Sequence, residues 1–400
     1  MRKTITIGDL GTIITGKTPP TTNKNYYGDY AVFIKPTDIS EQSKYTYETE
    51  EMYSKLAAEK YESSLIPKGA ICVPCIGTIG TKMTMAPCDC YTNQSINSIV
   101  CNENYDNEYV YYLIKNFLPG LKAYNLGTAS GREYVSKSNF EKIELVAEQD
   151  KTIQKRIGVI LSRYDSLIEN YQKQIKLLEE AAQRLYKEWF VDLHFPGHEN
   201  IKIIDGVPEG WEYRKIGDVY KTVLGGTPSR AKSNYWGGDI PWINSGEINK
   251  LRIIQASEMI TQEGYDNSST KLMPVHTTIL AITGATLGQV SYTEIETCAN
   301  QSVVGIIDET NQTNEYLYLY INDNILSIVN KATGGAQQHI NKDIVNDYNI
   351  LIPVQNVLAL FKERTTPLFK LIKDYLNSIQ SLTEARDRLL PKLMSGEIAV

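Results

Sequence analysis

The strongest constraint on the fold of this chain is an internal duplication that covers nearly all of its 400 residues. Short motifs in the first half return in the second half, and the offset between them drifts only from about 210 to 204 residues. The matched segments are 7–10 with 216–219, 16–19 with 225–228, 25–28 with 234–237, 93–96 with 300–303, and 180–185 with 384–389. Each copy is therefore a complete domain-sized unit, because solenoid repeats have periods of only about 20–50 residues.

Both copies begin with short apolar runs that are separated by Gly, Pro, Asn and Asp. The runs that predict strands are 31–34, 70–73 and 302–307, and the stretches that predict helices are 108–117 and 315–329. This mixture predicts an α+β domain with irregular loops at residues 1–148 and another at residues 200–353.

Both copies end with the pattern of a long helix, at residues 149–199 and 354–400. Apolar residues recur there at spacings of four and three, the a/d seam of a heptad repeat, over more than four heptads. The seam residues we select are Ile168, Tyr171, Ile175, Leu178 and Leu185 in the first copy, and Ile372, Tyr375, Ile379, Leu382 and Leu389 in the second. Thr366 followed by Pro367 predicts the start of the second helix, and Pro391 predicts a kink or a stop near its end.

A strict repeat of 3.5 residues specifies a partner helix, and the other copy is the nearest candidate. We therefore expect a long antiparallel two-helix coiled coil between two similar domains, with pseudo-two-fold symmetry. Arg386 stands in the seam where the first copy has Ala182, and a charge there costs stability unless it pairs. The alternative is that each amphipathic helix packs on its own globule.

Composition narrows the class of protein. Lys and Arg total 41 and Asp and Glu total 47, so the net charge of −6 argues against a protein that coats nucleic acid through bulk positive charge. The absence of a long apolar run or a signal-peptide core predicts a cytoplasmic protein with no membrane contact. The 27 Tyr residues beside 7 Phe favour rings that also form hydrogen bonds, which suits wet interfaces.

Two motifs suggest chemistry that their context does not favour. Residues 11–18 fit the phosphate-binding pattern G-x-x-x-x-G-K-[ST], but Pro19 and Pro20 follow at once and the second copy has no matching lysine. The cysteines at 72, 75, 88 and 90 have spacings that zinc sites use, yet the second copy has no counterparts, so buried thiols are the better interpretation. We predict no catalytic residue, no metal site and no cofactor in this chain.

The predicted layout, two similar domains on a long helical spacer, suggests a protein that holds two binding domains at a fixed distance. A helix of about 35–40 residues is roughly 50–60 Å long, and duplex DNA advances about 34 Å per turn. Two similar domains on such a spacer match the scale on which a protein reads two sites on one DNA molecule.

The chain resembles the specificity (S) subunit of type I restriction-modification systems over essentially its whole length. The resemblance rests on the duplicated plan and on motifs at 16–19, 226–228, 207–211, 185–191, 195–197 and 389–398. It implies two target-recognition domains separated by shared spacer helices, and a subunit without catalytic activity. It also implies a bipartite double-stranded DNA target and two modification subunits, which carry S-adenosylmethionine and methylate adenine. Through them it implies restriction subunits that use ATP and Mg²⁺.

Residues that contact DNA should be Lys, Arg and small polar side chains on exposed loops. In the first domain we select Lys17, Thr18, Lys24, Lys35, Lys82, Arg132 and Lys137; in the second we select Thr227, Ser229, Arg230, Lys232, Asn244, Gln337, Gln338 and Lys342. For each of these residues the alternative is an ordinary solvated side chain. The competing function is a protein-binding scaffold, or an orphan subunit without sequence-selective DNA binding.

Overall fold

A computed structural model of the chain describes residues 2–77, 79–127, 133–331 and 339–400. These residues divide into two compact units. Unit 1 comprises Met1–Asn170 and Ile379–Val400, and unit 2 comprises Tyr171–Ser378. The selected residues Arg132, Gln337 and Gln338 lie outside the described residues.

Unit 1 is an α+β domain built on two four-stranded sheets. Its strands are β1 Arg2–Thr6, β2 Gly11–Thr15, β3 Tyr27–Gly28, β4 Ala31–Ile34, β5 Met52–Tyr53, β6 Ile71–Pro74, β7 Thr84–Met85, β8 Tyr91–Thr92, β9 Ile96–Cys101 and β10 Glu144–Glu148. Its short helices are α1 Lys55–Lys60, α2 Asn107–Phe117 and α3 Lys137–Glu141. The sheet orders are β2-β9-β6-β7 and β3-β5-β4-β8, and β1 pairs antiparallel with β10.

Unit 2 has the same plan with additions. Its strands are β11 Ile203–Ile204, β12 Val207–Pro208, β13 Glu212–Lys215, β14 Lys221–Leu224, β15 Trp236–Ile243, β16 Arg252–Ile253, β17 Glu258–Ile260, β18 Thr278–Ala281, β19 Val290–Thr293, β20 Cys298–Ala299, β21 Val303–Ile307 and β22 Asn349–Ile352. Its short helices are α5 Ile216–Val219, α6 Gln262–Asp266, α7 Asn314–Val329 and α8 Lys342–Asn346.

The strand topology of unit 1 recurs in unit 2. The order β14-β21-β18-β19 repeats β2-β9-β6-β7, with β16 added at the edge, and β13 pairs with β22 as β1 pairs with β10. The parallel pair β4 and β8 corresponds to the parallel pair β15 and β20. The duplication predicted from the sequence therefore holds at the level of hydrogen-bonded strands, and the strands and helices predicted within the two domains are confirmed to within one residue.

Two long helices each contribute segments to both units. They are α4 Lys151–Tyr186, of 36 residues, and α9 Gln355–Ser395, of 41 residues. A π-helical turn, Lys187–Val191, follows α4. The ten selected seam residues are buried or half-buried, as their period requires.

The predicted start of the second long helix is wrong. Pro367 lies inside α9, twelve residues after its first residue Gln355, and the helix also runs through Pro391 to Ser395. A proline removes one backbone hydrogen bond, but burial of the surrounding apolar stripe outweighs that local cost. Nearby, the Thr365 hydroxyl donates to the Phe361 carbonyl oxygen at 2.9 Å within the helix.

Segments of α4 and α9 pack against each other inside each unit. In unit 2 the rings of Tyr171 and Tyr375 stack with centroids 4.9 Å apart, and Trp189 lies 5.7 Å from Phe361. The residue number rises from Tyr171 in α4 to Trp189 in the π-helical turn that follows it, while it falls from Tyr375 to Phe361 along α9, so the segments run antiparallel. In unit 1, Asp165 of α4 binds Arg386 of α9. The same segments also enter the main apolar core of their unit.

Many tyrosines serve the core rather than a wet surface. Tyr109, Tyr112 and Tyr316 are at most 1% exposed. Their hydroxyls find partners inside the protein; for example, the Glu148 amide donates to the Tyr109 hydroxyl at 2.8 Å. A phenol can be buried when its hydroxyl is bonded, which explains why abundant tyrosine here does not indicate an interface. Within the described parts of the chain, no helix is long and apolar enough to cross a membrane.

Candidate nucleic-acid interface

In each unit, a tight turn that contains the Thr-Pro motif lies against a second turn that contains an Asn-Gln motif. In unit 1 the first turn follows β2, and the Lys17 amide donates to the Thr92 carbonyl oxygen at 2.9 Å. The Thr18 hydroxyl donates to the side-chain oxygen of Gln94, which is exposed at the tip of the turn between β8 and β9. Two motifs that are 76 residues apart thus form one polar surface.

Unit 2 contains the same arrangement. The first turn follows β14, and the Gly226 amide donates to the Ala299 carbonyl oxygen at 2.8 Å. The Thr227 hydroxyl donates to Oε1 of Gln301, also exposed, at 2.5 Å. The side-chain amide nitrogen of each glutamine is a separate donor, which the bond from the threonine to the amide oxygen does not use.

Aromatic side chains support both turns from below. The Tyr27 hydroxyl donates to the Pro19 carbonyl oxygen at 2.8 Å, and the Trp236 indole donates to the Ser229 carbonyl oxygen at 3.3 Å. The indole of Trp242 donates to the Gly226 carbonyl oxygen at 3.0 Å. These bonds fix the backbone of the turns, so their exposed side chains project from a rigid base.

Arg230 has a defined position beside the turn of unit 2. Its guanidinium lies 3.6 Å from the centroid of the Trp236 ring and forms a two-point ion pair with Glu258. The hydrogen bond with Glu258 raises the pKa of Arg230, and the same bond lowers the pKa of Glu258. The arginine is thereby oriented, but a phosphate or a base would have to compete with Glu258 for its donors.

Lys35 and Asn244 occupy equivalent capping positions in the two units. The Lys35 amide donates to Asp38 at 2.8 Å, and Oδ1 of Asn244 accepts from the Gly246 amide at 2.8 Å. The Lys35 ammonium is 2.6 Å from Glu50 and 3.3 Å from Glu51. Burial opposes its charge, but these ion pairs outweigh burial and raise the pKa of Lys35.

The remaining selected residues do not form one cluster with these turns. Lys24 and Ser229 are exposed, Lys82 is half-buried, and Lys232 donates to the Tyr235 hydroxyl at 2.7 Å. Lys137 pairs with Glu141, 3.6 Å away on α3. Lys342 lines a cavity of about 750 Å³ in unit 2 that Lys221 and Lys271 also line.

Gln94 and Gln301 were not among the selected residues, although the sequence contains the signal that identifies them. Both belong to the duplicated Asn-Gln-Ser motif, and that repetition marks them as strongly as it marks the Thr-Pro turn. In each motif the asparagine side chain accepts from the backbone amide of the serine, at 3.0 Å for Asn93 and 3.1 Å for Asn300. This turn presents the glutamine outward.

The described residues contain no cluster of metal-ligating side chains, and the thiols of Cys72 and Cys75 are buried. Within them, no group of three or more His, Cys, Asp or Glu side chains could hold an ion. Burial raises the pKa of both Cys72 and Cys75 to about 12, so these thiols are neutral at physiological pH.

Comparisons with known proteins agree on one family. A family model described as the type I restriction modification DNA specificity domain matches residues 2–180 and again residues 208–376. The chain is 28% identical to the type I restriction enzyme MjaIX specificity subunit of Methanocaldococcus jannaschii, over 98% of this chain and 93% of the relative. It is 27% identical to the HindI specificity subunit of Haemophilus influenzae, over 62% of this chain and 68% of the relative. Its fold is similar to the crystal structure of the S subunit of a type I restriction-modification system from M. genitalium, with a TM-score of 0.61, 16% identity, and coverage of 98% of this chain and 96% of that one.

Proposed function

Because the chain belongs to the family of type I restriction-modification DNA specificity subunits, we propose that it recognises a bipartite DNA target, with one domain for each half-site. The subunit is not an enzyme, since catalysis in these systems lies in other chains. The observation that carries the proposal is the Thr–Gln pair, Thr18 with Gln94 and Thr227 with Gln301, which recurs in two units of the same topology. Glutamine reads adenine through its amide, and a threonine that orients it reduces the entropy lost on binding.

The two units share this frame but differ around it. Beside the turn, unit 2 has Arg230 held on Trp236, while unit 1 has Lys17, whose ammonium donates to the Ser63 hydroxyl at 3.2 Å. Different side chains on one frame suit two different half-site sequences. The domains we propose are residues 1–148 and 200–353.

Residues 149–199 and 354–400 supply the proposed spacer, an antiparallel two-helix coiled coil with pseudo-two-fold symmetry. The ten seam residues, which are buried or half-buried, and the Tyr171–Tyr375 stack support this proposal. At 1.5 Å per residue, the 36 residues of α4 are about 54 Å long, against about 34 Å for one turn of DNA. The spacer sets the length of the unread gap between the half-sites.

The proposed partners follow from the family. Two modification subunits, which bind S-adenosylmethionine and methylate adenine, dock on the specificity subunit, and restriction subunits that use ATP and Mg²⁺ join through them. The duplication of the chain suits the binding of two modification subunits, one to each copy.

Sequencing of methylated adenines in a host that carries the complete operon tests this function. We expect one bipartite motif. Replacement Gln94→Ala should relax recognition at one half-site only and Gln301→Ala at the other, each by about 1–3 kcal/mol of base discrimination. Gln262→Ala is the control, because Gln262 is exposed on α6 and its amide donates to Asp266.

Two outcomes would contradict the proposal. If both glutamine variants altered the same half-site, or neither altered any, the Thr–Gln turns would not be the reading surfaces. If the complete complex retained no DNA selectively, the chain would be a protein-binding scaffold or an orphan subunit.

A further inference from the structure

Helix α4 carries one buried carboxylate into each compact unit. In unit 1, Asp165 accepts hydrogen bonds from the guanidinium of Arg386 on α9 and from the hydroxyl of Tyr112 on α2. Asp165 is 7% exposed and Arg386 is 6% exposed. One side chain of α4 is therefore bonded to the other long helix and to the recognition domain at the same point.

The buried carboxylate that α4 contributes to unit 2 is Glu179. It accepts a hydrogen bond from Arg252 of β16, whose side chain is completely buried. The guanidinium of Arg252 lies 4.5 Å from the ring centroids of both Tyr318 on α7 and Phe369 on α9. This ion pair also joins α4 to a recognition domain and places it beside α9.

The two carboxylates have the same position in the heptad repeat. They are 14 residues apart, which is two heptads, so Asp165 and Glu179 point to nearly the same side of the helix. A slip of α4 by one turn, about 5.4 Å, would remove each carboxylate from its arginine in the same movement.

The positions in the other copy that match Asp165 and Arg386 are apolar. The offset of 204 residues that relates Ile168 to Ile372 relates Asp165 to Phe369 and Arg386 to Ala182. Phe369 and Ala182 are buried members of the apolar core of unit 2. Unit 2 therefore has buried apolar residues at both of the positions where unit 1 has the ion pair.

A buried ion pair of this kind adds little stability beyond what an apolar pair would give, because desolvation offsets the attraction between the charges. Loss of one partner is costly, however, because it leaves a buried charge alone. Such pairs are thus suited to excluding wrong helix registers, as single buried polar residues do in coiled coils.

We propose that Asp165 and Glu179 are positioning residues that hold α4 in one register against both units and thereby fix the gap length that the subunit accepts. This inference rests on the proposed function. A slip of one helical turn corresponds to about one and a half base pairs, since duplex DNA advances about 3.4 Å per base pair. A half-site displaced by that amount is also rotated out of reach around the DNA axis.

The test uses the full chain in complex with its modification subunits. Initial methylation rates are measured on duplexes that keep both half-sites and vary the gap from two base pairs shorter to two longer than the natural one. The main variant combines Tyr112→Phe, Asp165→Phe and Arg386→Ala, which imitates the apolar positions of unit 2 and removes the carboxylate together with the hydroxyl and the guanidinium that bind it. Asp165→Asn is the single-residue variant: it removes the charge and keeps the shape, and Arg386 keeps its ion pair with Asp387 at 2.8 Å. Glu384→Gln is the control, since it alters an exposed ion pair with Arg388 on the same helix, α9.

The measured quantity is the methylation rate at the natural gap divided by the rate at a gap changed by one base pair. We expect this ratio to fall about tenfold in both test variants and to keep its wild-type value in Glu384→Gln. A merely structural role would lower the rates at all gap lengths together and leave that ratio unchanged. A folded triple variant with the wild-type ratio would overturn the inference; if that variant does not fold, an unchanged ratio in Asp165→Asn overturns it. A wild-type complex without any gap preference would instead overturn the proposed function, and the inference with it.

Discussion

Gly16 and Gly225 show why the turns that carry the Thr-Pro motif tolerate only glycine at one place. A Cβ atom on Gly16 would lie 2.1 Å from the Thr92 carbonyl oxygen, and on Gly225 it would lie 2.1 Å from that of Asn300. Backbone atoms cannot move aside as the end of a side chain can, so the two turns of each unit would have to separate. The exposed glutamine and its threonine depend on that close approach.

Replacement Gly225→Ala should therefore destabilise unit 2 by more than about 2 kcal/mol, since the new methyl group overpacks a backbone contact. Urea unfolding monitored by tryptophan fluorescence measures this, because Trp189, Trp211, Trp236 and Trp242 all lie in unit 2. Gly217→Ala is a suitable control, as its Cβ would be no closer than 3.0 Å to a side chain, that of Asn346. Equal stability of the two variants would contradict the steric explanation.

Asp308 is a second residue whose local bonds determine a measurable property. It precedes α7, and its carboxylate accepts from the backbone amides of Thr310 at 2.9 Å, Gln312 at 2.8 Å and Thr313 at 2.6 Å. Burial alone would raise the pKa of Asp308, but the bonds from Thr310 and Thr313 outweigh burial and lower it. A carboxyl whose pKa is lower in the folded than in the unfolded state stabilises the fold above its unfolded pKa. That stabilisation is lost as the pH falls through the folded value.

We expect Asp308→Asn to cost about 1–3 kcal/mol at neutral pH, because hydrogen bonds to the ionised group are lost. The difference from wild type should shrink below about pH 4, where the wild-type carboxyl also takes up a proton. Urea unfolding at neutral and acidic pH provides the comparison. A difference that stays constant across this range would mean that the ionised form of Asp308 contributes nothing.

At the scale of the elements, the heptad seam of α9 identifies the residues that matter for packing. Ile372 is fully buried, whereas its neighbour Leu371 is 40% exposed. Replacement Ile372→Ala should cost about 2–5 kcal/mol and Leu371→Ala less than about 1 kcal/mol. Both residues lie in unit 2, so tryptophan fluorescence reports both unfolding transitions. Similar costs for the two variants would show that the seam does not carry the packing of the helix.

The elements were predictable where the signal is local and periodic. Local sequence patterns predicted the seam of α4, the strand at 31–34 and the helix at 315–329. Pro367 led to a wrong start for α9, because the packing of that helix outweighs the preference of proline for the first turn. Asp165 could not be identified, since a carboxylate beside a heptad seam resembles a solvated residue and its partner Arg386 is 221 residues away. The duplication predicted that each copy has a site, but only the folded chain brings the Thr-Pro and Asn-Gln turns together.

At the scale of the whole molecule, the charge distribution decides how the subunit can hold DNA. Residues 1–150 carry 15 basic and 18 acidic side chains, and residues 200–354 carry 11 and 17, so neither proposed recognition domain is basic on average. Several of the selected cations also have internal partners; Lys35 binds Glu50 and Arg230 binds Glu258. Affinity for DNA comes largely from the counterions that are released when basic side chains bind phosphates. In both proposed recognition domains the acidic side chains outnumber the basic ones.

The isolated chain should therefore bind duplex DNA weakly, with a dissociation constant above about 1 µM at physiological salt and little difference between target and unrelated sequence. The complex with modification subunits should bind the target far more tightly, because those subunits add phosphate contacts around the DNA while the two recognition domains select the sequence. Fluorescence anisotropy with both duplexes, at about 50 mM and about 200 mM salt, separates these contributions, since the steepness of the salt dependence counts the phosphates that are neutralised. A steeper dependence for the complex than for the isolated chain is the expected result. Tight binding of the isolated chain to an unrelated duplex would contradict this prediction, because it would show that the chain alone binds DNA strongly without regard to sequence.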